Sequence, residues 1–258
     1  MQVFNMFNRQ YFCATVAIAS AVLCSSPVLA QDYPFSIELA AGPSWQAKND
    51  VQIPNDSEGT RFSLKDLAGD GPWAAFRLNA IWNINDRHGI RLLLAPLSYT
   101  ETGTYDENVD FAGQTNAAGT RTKATYRFNS YRLSYRYHYY DTAPWNLWVG
   151  ATAKIRDAEI KLKQGDVSSK DDNVGFVPLL YFAADYRLSE RWSLAADIDA
   201  LAGGPGRAID LGLMLKYSVG PQWKIGIGYR GLEGGVDNDE VYNFAWFNSA
   251  LISANYRF

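Results

Sequence analysis

Apolar and polar residues alternate with a period of two along most of the chain beyond residue 31, and no stretch keeps the three-to-four-residue period of an amphipathic helix. The last ten residues show the alternation most clearly. One face carries Phe258, Tyr256, Ala254 and Ile252, and the other carries Arg257, Asn255, Ser253 and Ser249. Because successive side chains of a β-strand point to opposite faces, this pattern predicts strands with one apolar face.

Ten segments with this alternation are predicted strands: Pro34–Gln46, Trp73–Ile84, Gly89–Thr102, Tyr126–Tyr140, Asn146–Lys163, Val174–Leu188, Trp192–Leu201, Ala208–Val219, Trp223–Gly231 and Ser249–Phe258. Several have the 9–11 residues with which a tilted strand crosses a bilayer, and the others are longer. Eight strands are the alternative, because Gly203-Gly204-Pro205-Gly206 is a very short connection and one pair in Trp192–Val219 would then be loop.

The connections between these segments alternate between short and long. The short ones are Asn85–His88, Asp141–Pro144, Ser189–Arg191 and Gly220–Gln222, and the long ones are Ala47–Pro72, Gly103–Thr125, Gln164–Asn173, Ala202–Arg207 and Leu232–Asn248. Outer-membrane barrels have short periplasmic turns and longer outer loops. The alternation therefore predicts that both ends of the barrel sequence lie on the periplasmic side.

Five outward faces are assigned, and none of them contains a charged residue. They are Phe35/Ile37/Leu39/Ala41, Phe76/Leu78/Ala80/Trp82, Leu147/Val149/Ala151/Ala153, Leu211/Leu213/Leu215/Tyr217 and Trp223/Ile225/Ile227/Tyr229. A lipid-facing Arg or Lys near the bilayer midplane costs about 2–4 kcal/mol. Because hydrocarbon leaves no partner for an open sheet edge, such a sheet has to close. A soluble β-sandwich also has apolar inner faces, but it needs neither the loop alternation nor the aromatic C-terminus. We predict an all-β, antiparallel, up-and-down transmembrane β-barrel.

Aromatic residues cluster at two depths. One group is close to the short turns or the C-terminus: Trp82, Tyr137, Tyr139, Tyr140, Trp145, Trp148, Trp192, Trp223 and Phe258. The other is close to the long loops: Trp73, Tyr99, Tyr126, Tyr242, Phe244, Trp246 and Phe247. Aromatic belts at both membrane interfaces explain this split; ordinary core aromatics are the alternative.

Residues 1–30 have the pattern of a secretory signal peptide. Arg9 is their only charge, an apolar core runs from Tyr11 to Leu23, and Val28 and Ala30 place small residues at the −3 and −1 positions of a cleavage site. We expect a mature barrel of residues 31–258. A lipoprotein anchored at Cys24 and a retained membrane helix are the alternatives.

The mature composition excludes several kinds of site. Cys13 and Cys24 are the only cysteines, so the mature chain has no disulfide or thiolate site. His88 and His138 are the only histidines, which disfavours a histidine-rich metal site. Removing Arg9 changes the formal charge from -3 to -4, and this acidic balance gives no reason to expect nucleic-acid binding. We predict no metal site and no cofactor.

The cleavage site, the ten segments and the closing Leu251-Ile252-Ser253-Ala254-Asn255-Tyr256-Arg257-Phe258 make the chain resemble the small bacterial outer-membrane β-barrel proteins, the OmpA/OmpX/OmpW-like group. The resemblance implies location in the outer membrane of a Gram-negative cell, among lipopolysaccharide, after delivery by periplasmic chaperones. It also implies that Ile252, Ala254, Tyr256 and Phe258 form the signal read by the barrel-assembly machinery. The subfamily stays unassigned, because the smallest members have eight strands.

The parity of a residue, its odd or even position along a strand, decides which face it lies on, and it places many charges on the inward faces. They are Glu38, Arg77, Arg91, Arg132, Arg136, Lys154, Arg156, Asp185, Arg187, Asp197, Asp199, Asp210, Lys216, Lys224, Arg230 and Arg257. Isolated buried charges are costly, so these groups must pair or be hydrated. A salt-bridge network inside a closed barrel and a narrow, anion-preferring pore are both consistent with them. A basic lumen with a role in assembly is a third possibility.

The sequence indicates no enzyme. The ten-stranded omptin proteases, which this strand number resembles, use an outer-rim histidine, whereas both histidines here are next to short turns. Ser134 and His138 share an inward face but are four residues apart, about 13 Å along a strand, too far for a hydrogen bond. The predicted function is structural or a narrow passage for small solutes. The alternative is a surface-interaction protein whose long outer loops bind a ligand or a host molecule.

Overall fold

Ten antiparallel strands form a closed barrel in the computed structural model, which describes residues 33–204 and 206–258. The wall consists of β1 (Phe35–Gln52), β3 (Trp73–Asn83), β4 (His88–Ala95) continued by β5 (Ser98–Gly103), β8 (Thr122–Thr142), β9 (Trp145–Gln164), β10 (Val167–Arg187), β11 (Trp192–Gly203), β12 (Gly206–Ser218), β13 (Trp223–Asp237) and β14 (Tyr242–Arg257). The loops contain β2 (Phe62–Ser63), α1 (Leu64–Ala68), β6 (Val109–Phe111) and β7 (Gln114–Asn116).

Each wall strand pairs with the next one along the chain, and β14 pairs with β1 to close the sheet. The closing ladder runs from Ser36↔Arg257 to Gln52↔Tyr242. Beyond it, the amide of Phe35 donates to the Phe258 carbonyl at 3.1 Å, and the return bond measures 3.0 Å. The predicted up-and-down ten-stranded barrel is confirmed.

The eight-strand alternative is wrong. Strands β11 and β12 form a continuous ladder from Trp192↔Tyr217 to Gly203↔Gly206, so neither belongs to a loop. The glycine-rich connection between them is short because the ladder continues as far as Gly203 and Gly206.

The outer wall is an apolar belt. Leu39, Leu180 and Ile227 point away from the lumen, and each is more than half exposed. Among the described residues, charged side chains return to the outer wall only beyond this belt, for example in the ion pairs Arg127–Asp157 and Arg207–Glu233. A wall this exposed and apolar requires hydrocarbon around it, which makes the barrel a transmembrane one.

Three strands continue well past the belt on the loop side. Strands β8, β9 and β10 have 21, 20 and 21 residues. The predicted loop Gln164–Asn173 is mostly strand, because β9 and β10 pair up to Gln164↔Val167 around a turn in which Gly165 adopts a φ of 52°. The predicted loop Leu232–Asn248 is likewise mostly strand, since β13 and β14 pair up to Asp237↔Tyr242.

The wall is lower at β11 and β12, which have 12 and 13 residues. The β10–β11 ladder stops at Leu180↔Ala200, and Pro178 lies on β10 just beyond that end of the ladder. Proline has no N–H to donate to a neighbouring strand. Pro178 therefore fits a position where β10 no longer pairs with β11 and becomes an edge strand on that side. The rim at the end with the long loops therefore has a gap above the β11–β12 hairpin. We call this end the extracellular end and the opposite one the periplasmic end, as the loop alternation predicts.

Within residues 33–204 and 206–258, no helix combines the length and apolar character that crossing a bilayer requires. The predicted cleavage residues Val28 and Ala30 lie outside the described residues.

Candidate functional site

Asp210 is the centre of a buried ionic cluster in the middle of the barrel. It accepts a hydrogen bond from Arg230 Nε at 2.6 Å and one from Arg77 Nη1 at 3.3 Å. Arg132 Nη2 lies 2.5 Å from its Oδ2 atom. Asp210 is only 2% exposed, so three guanidinium groups compensate one carboxylate that has almost no access to water.

Asp199 is the second acidic residue of this cluster and is 0% exposed. Arg132 Nη1 donates to its Oδ2 atom at 2.7 Å, and Arg91 forms a second ion pair with the same oxygen. The Thr152 hydroxyl donates to the other oxygen at 2.6 Å and also bonds to Ser134 Oγ at 2.6 Å. Thr152 was not among the predicted lumen residues, although its inward parity on β9 is a signal that could have found it.

These ion pairs join opposite sides of the barrel. Arg77 is on β3 and Arg132 is on β8, whereas Asp210 is on β12; in the ring of ten strands each arginine is four strands away from its partner. Arg230 on β13 adds a two-point contact with Asp197 on β11, at 2.5 and 3.1 Å. The cluster consequently crosses the lumen, and Arg132, which pairs with both Asp199 and Asp210, is only 1% exposed.

Lys154 on β9 lies next to this cluster without an ion pair. It is 2% exposed, and no carboxylate among the described residues lies within 4 Å of its Nζ atom. The Nζ atom faces the Phe128 ring, whose centroid lies 4.8 Å away. Burying a cation without a counterion is expensive, so Lys154 is a basic group of the lumen that the acids of the cluster leave unpaired.

The remaining predicted lumen charges lie nearer the two ends. Glu38 and Lys216 form an ion pair below the cluster. Five more surround the periplasmic mouth: Arg136, Asp185, Arg187, Lys224 and Arg257. Arg156 lies at the extracellular end, where its Nη2 atom donates to Asn173 Oδ1 at 2.6 Å. The sixteen predicted charges thus occupy three levels of the lumen instead of one network.

An apolar core closes the extracellular end of the lumen. The loop after β1 contributes β2 and α1, and the hairpin β6–β7 lies in the loop between β5 and β8. Phe62 packs edge-on against Tyr105 at 5.5 Å and Phe111 at 5.6 Å. Leu64 and Phe111 are completely buried. We call these loops, together with the strand ends that hold them, the extracellular module.

Several aromatics predicted for the outer belt belong to this core instead. Tyr99, Tyr126 and Phe247 are almost completely buried, and Trp73 stacks on Tyr99 at 3.9 Å. The belt prediction is wrong for them because their odd or even position along the strand turns them toward the lumen. The number of residues between an aromatic and a loop indicates its depth in the membrane, but not which side of the wall it faces. Trp148, predicted for the periplasmic belt, also lies inside, next to His138.

A crevice of about 240 Å³ opens in the extracellular module between the ends of β9 and β10 and the β13–β14 turn. Its lining includes Arg156, Asp171, Asn173, Glu240 and Asn243. Burial raises the pKa of Asp171, and repulsion from neighbouring Asp172 raises it further. The crevice is thus polar and carries charges of both signs.

Both histidines lie at the periplasmic end. His88 Nδ1 hydrogen bonds with the Tyr135 hydroxyl at 2.6 Å, and His138 Nδ1 with the Asp86 carbonyl at 2.8 Å. His138 stacks on Trp148, while Ser134 bonds to Thr152. Ser134 and His138 therefore have separate partners.

The predicted assembly residues share the outer face of β14. Ile252 is exposed, Tyr256 stacks on Phe258 at 5.8 Å, and Phe258 stacks on Phe35 at 6.0 Å across the closing seam. The Phe258 ring thus packs across the seam between the last strand and the first.

Among residues 33–204 and 206–258, no group of three or more His, Cys, Asp and Glu side chains is placed to hold a metal ion.

No protein-family model matches the sequence, and no curated protein sequence matches it. Solved structures do match. The outer membrane protease OmpT from Escherichia coli aligns with a TM-score of 0.57 and 10% identity, over 87% of this chain and 96% of that one. The translocator domain of the autotransporter NalP from Neisseria meningitidis aligns with a TM-score of 0.44 and 11% identity, over 89% of this chain and 90% of that one. Ail of Yersinia pestis aligns with a TM-score of 0.40 and 11% identity, over 87% of this chain and 99% of that one. With its closed ten-stranded wall and uncharged outer belt, the chain has the fold of the bacterial outer-membrane β-barrel proteins.

Proposed function

We propose that the protein is a closed outer-membrane barrel that holds the extracellular module in place, and that this module binds a ligand at the cell surface. The observation that carries the proposal is the double closure of the lumen. Ion pairs cross it at mid-height, and an apolar core fills its extracellular end. The barrel then serves as a rigid support.

The ionic cluster argues against a passage for solutes. A solute at this level has to displace guanidinium–carboxylate contacts of 2.5 to 2.7 Å. Breaking one buried pair costs about 3–5 kcal/mol. The narrow, anion-preferring pore therefore fits the geometry less well than the closed barrel.

The extracellular module has the features of a binding surface. Its loops contain their own secondary structure and core, so they present a defined shape. The polar crevice offers a concave site, and the low wall above β11 and β12 leaves one side of the rim open. Rigid scaffolds that position loops are a frequent arrangement for recognition.

Two measurements test this proposal. The purified barrel is expected to be silent in planar bilayers, and stepwise conductance from the unaltered protein would overturn the closed-barrel assignment. For binding, residues 104–121 are replaced by a two-residue turn. Because Gly103 and Thr122 are partners in the β5–β8 ladder, this deletion leaves the wall intact.

Cells displaying either form are then compared on arrays of glycans and extracellular-matrix proteins. Loss of a wild-type interaction in the deletion variant, with unchanged heat-modifiable gel migration, is the expected result. Equal binding by both forms would refute a role for the β6–β7 hairpin, and no binding by wild type would refute the surface-interaction role.

We also propose contact with lipopolysaccharide on the outer face of β8–β10. Lys123 is directly opposite Lys163, whereas Lys170, opposite Lys161, already has Glu159 and Asp172 as ion-pair partners. Like charges in the position of Lys123 and Lys163 destabilise a sheet unless anions lie nearby. Lipopolysaccharide phosphates would supply them. Lys163→Gln is expected to reduce co-purified lipopolysaccharide, whereas Lys65→Gln on α1 is not; equal retention by both variants would contradict this contact.

For biogenesis, we propose export with cleavage before Gln31, delivery by periplasmic chaperones and insertion by the barrel-assembly machinery, which reads Phe258 and the alternating residues before it. N-terminal sequencing tests the cleavage. Deleting Phe258 should slow insertion in cells more than unassisted refolding into vesicles. Equal slowing would mean that Phe258 acts only through its contact with Phe35.

We propose no enzymatic activity. His138 is held by Asp86 and Trp148, away from Ser134. A lipid-modifying activity of the purified barrel that disappears in His138→Ala would overturn this assignment.

A further inference from the structure

The periplasmic end of the lumen contains a second cavity, separate from the extracellular module. This vestibule has a volume of about 410 Å³ and includes the turn residues Ala143 and Pro144 in its lining, so it opens on the side of the chain termini. Small-molecule sites usually have volumes of roughly 300–1,000 Å³. The vestibule is therefore large enough for a small solute.

Positive charges outnumber negative ones around this vestibule. The cations are Arg136, Arg187, Arg191, Lys224 and Arg257, and the acids are Asp141, Asp185 and Glu190. Lys224 is attracted by Asp185 but repelled by Arg257, Lys216 and Arg187. Five cations against three acids leave an excess of two positive charges at this mouth.

Arg136 is the most informative of these residues. It is only 6% exposed, and its guanidinium lies over the Trp148 ring at 4.2 Å and near the Tyr181 ring at 5.9 Å. Its Nε atom is buried without a hydrogen-bond partner. Among the described residues, no carboxylate lies within the 4 Å that defines an ion pair with Arg136, in contrast to Arg77, Arg91 and Arg132 deeper in the lumen.

A buried guanidinium without a counterion is costly unless something else supplies negative charge. The aromatic rings offset part of that cost through the cation–π contact, but they satisfy none of its N–H groups. Arginine forks match the planar oxygens of carboxylate and the tetrahedral oxygens of phosphate, and hydrogen bonds to them are the strong, charge-assisted kind. The missing partner of Arg136 thus has the chemistry of an oxyanion.

We propose that the vestibule binds a small soluble oxyanion of the periplasm, a solute bearing phosphate or carboxylate groups. Arg136 holds it against the Trp148 wall, and Lys224 and Arg187 attract it from the mouth. Because the ionic cluster lies beyond Arg136, the site is a receptor pocket entered and left from the periplasm.

Isothermal titration of the folded protein in neutral detergent tests this site, with inorganic phosphate, pyrophosphate and citrate as probes. Saturable binding of at least one probe to wild type is expected. Arg136→Gln should weaken it by about ten- to a hundredfold, the range for one charge-assisted hydrogen bond. Arg87→Gln is the matched control, since Arg87 is in a periplasmic turn but outside the vestibule and donates to Tyr137.

Asp185→Asn gives a prediction of opposite sign. Removing this acid from the vestibule should tighten binding, whereas a merely structural role for the cations predicts no such gain. If Arg136→Gln fails the heat-modifiable folding check, Lys224→Gln replaces it, with weaker binding expected.

Three results would overturn the proposal: no probe binding to wild type, equal weakening by the Arg136 and Arg87 variants, or saturation only after phosphatidylglycerol is added. The last result would assign the site to a lipid headgroup instead of a soluble anion.

Discussion

Replacing Asp210 by asparagine should be among the most destabilising single changes in the lumen. The substitution keeps the shape but removes the charge that three arginines share, and it turns an amide N–H₂ group toward one of them. If each contact contributes about 1.5–3 kcal/mol, their sum sets an upper bound of roughly 4.5–9 kcal/mol. Because the contacts share one carboxylate and partial hydration relieves the loss, we expect about 3–5 kcal/mol.

The assay is urea unfolding in lipid vesicles, followed by tryptophan fluorescence and by heat-modifiable gel migration. Asp185→Asn is the control, since it makes the same chemical change on an inward-facing residue without an ion pair among the described residues. The double variant with Arg77→Gln should recover part of the loss, because one of the repelling cations is gone. A single Asp210→Asn variant within about 1 kcal/mol of the control would refute the view that this cluster holds the barrel walls together.

Three further changes test other parts of the structure. Leu213→Arg on the lipid face should cost about 2–4 kcal/mol in the same unfolding assay, and Val167→Arg beyond the belt about 0–1 kcal/mol; equal costs would contradict the belt. Gly150→Ala should cost about 1–3 kcal/mol, because its Cβ atom would lie 1.9 Å from the Tyr135 carbonyl oxygen, while Gly220→Ala meets nothing within 4 Å and should be neutral. Phe111→Ala should expose the β6–β7 hairpin to limited proteolysis while gel migration of the barrel stays unchanged, and global unfolding instead would show that the core of the module is part of the barrel's own stability.

The membrane part of the fold was predictable because lipid imposes a strict rule on it. Each outward position has to be apolar, so alternation marks strands such as β12 and β13 residue by residue. Beyond the belt that rule ends. Val167–Asn173 is polar on both faces, and only its ladder with β9 makes it a strand, so its sequence alone predicts a loop.

The site was predictable only in part for a related reason. Parity identified which charges face inward, but the partner of each charge depends on barrel closure and register, which bring β3 and β8 opposite β12. The apolar core of the extracellular module gave no periodic signal, since its members come from short irregular pieces such as β2 and α1.

The acids of the cross-lumen cluster all come late in the chain. Arg77, Arg91, Arg132 and Lys154 come from strands β3 to β9, whereas Asp197, Asp199 and Asp210 come from the later strands β11 and β12, followed by Arg230 on β13. A partly formed sheet with only the earlier strands would expose the basic residues on its concave face to the bilayer, without an acid at the same depth to pair with them. We therefore expect productive insertion to need the late strands, because only they bring the acids that pair with the cations of the earlier wall.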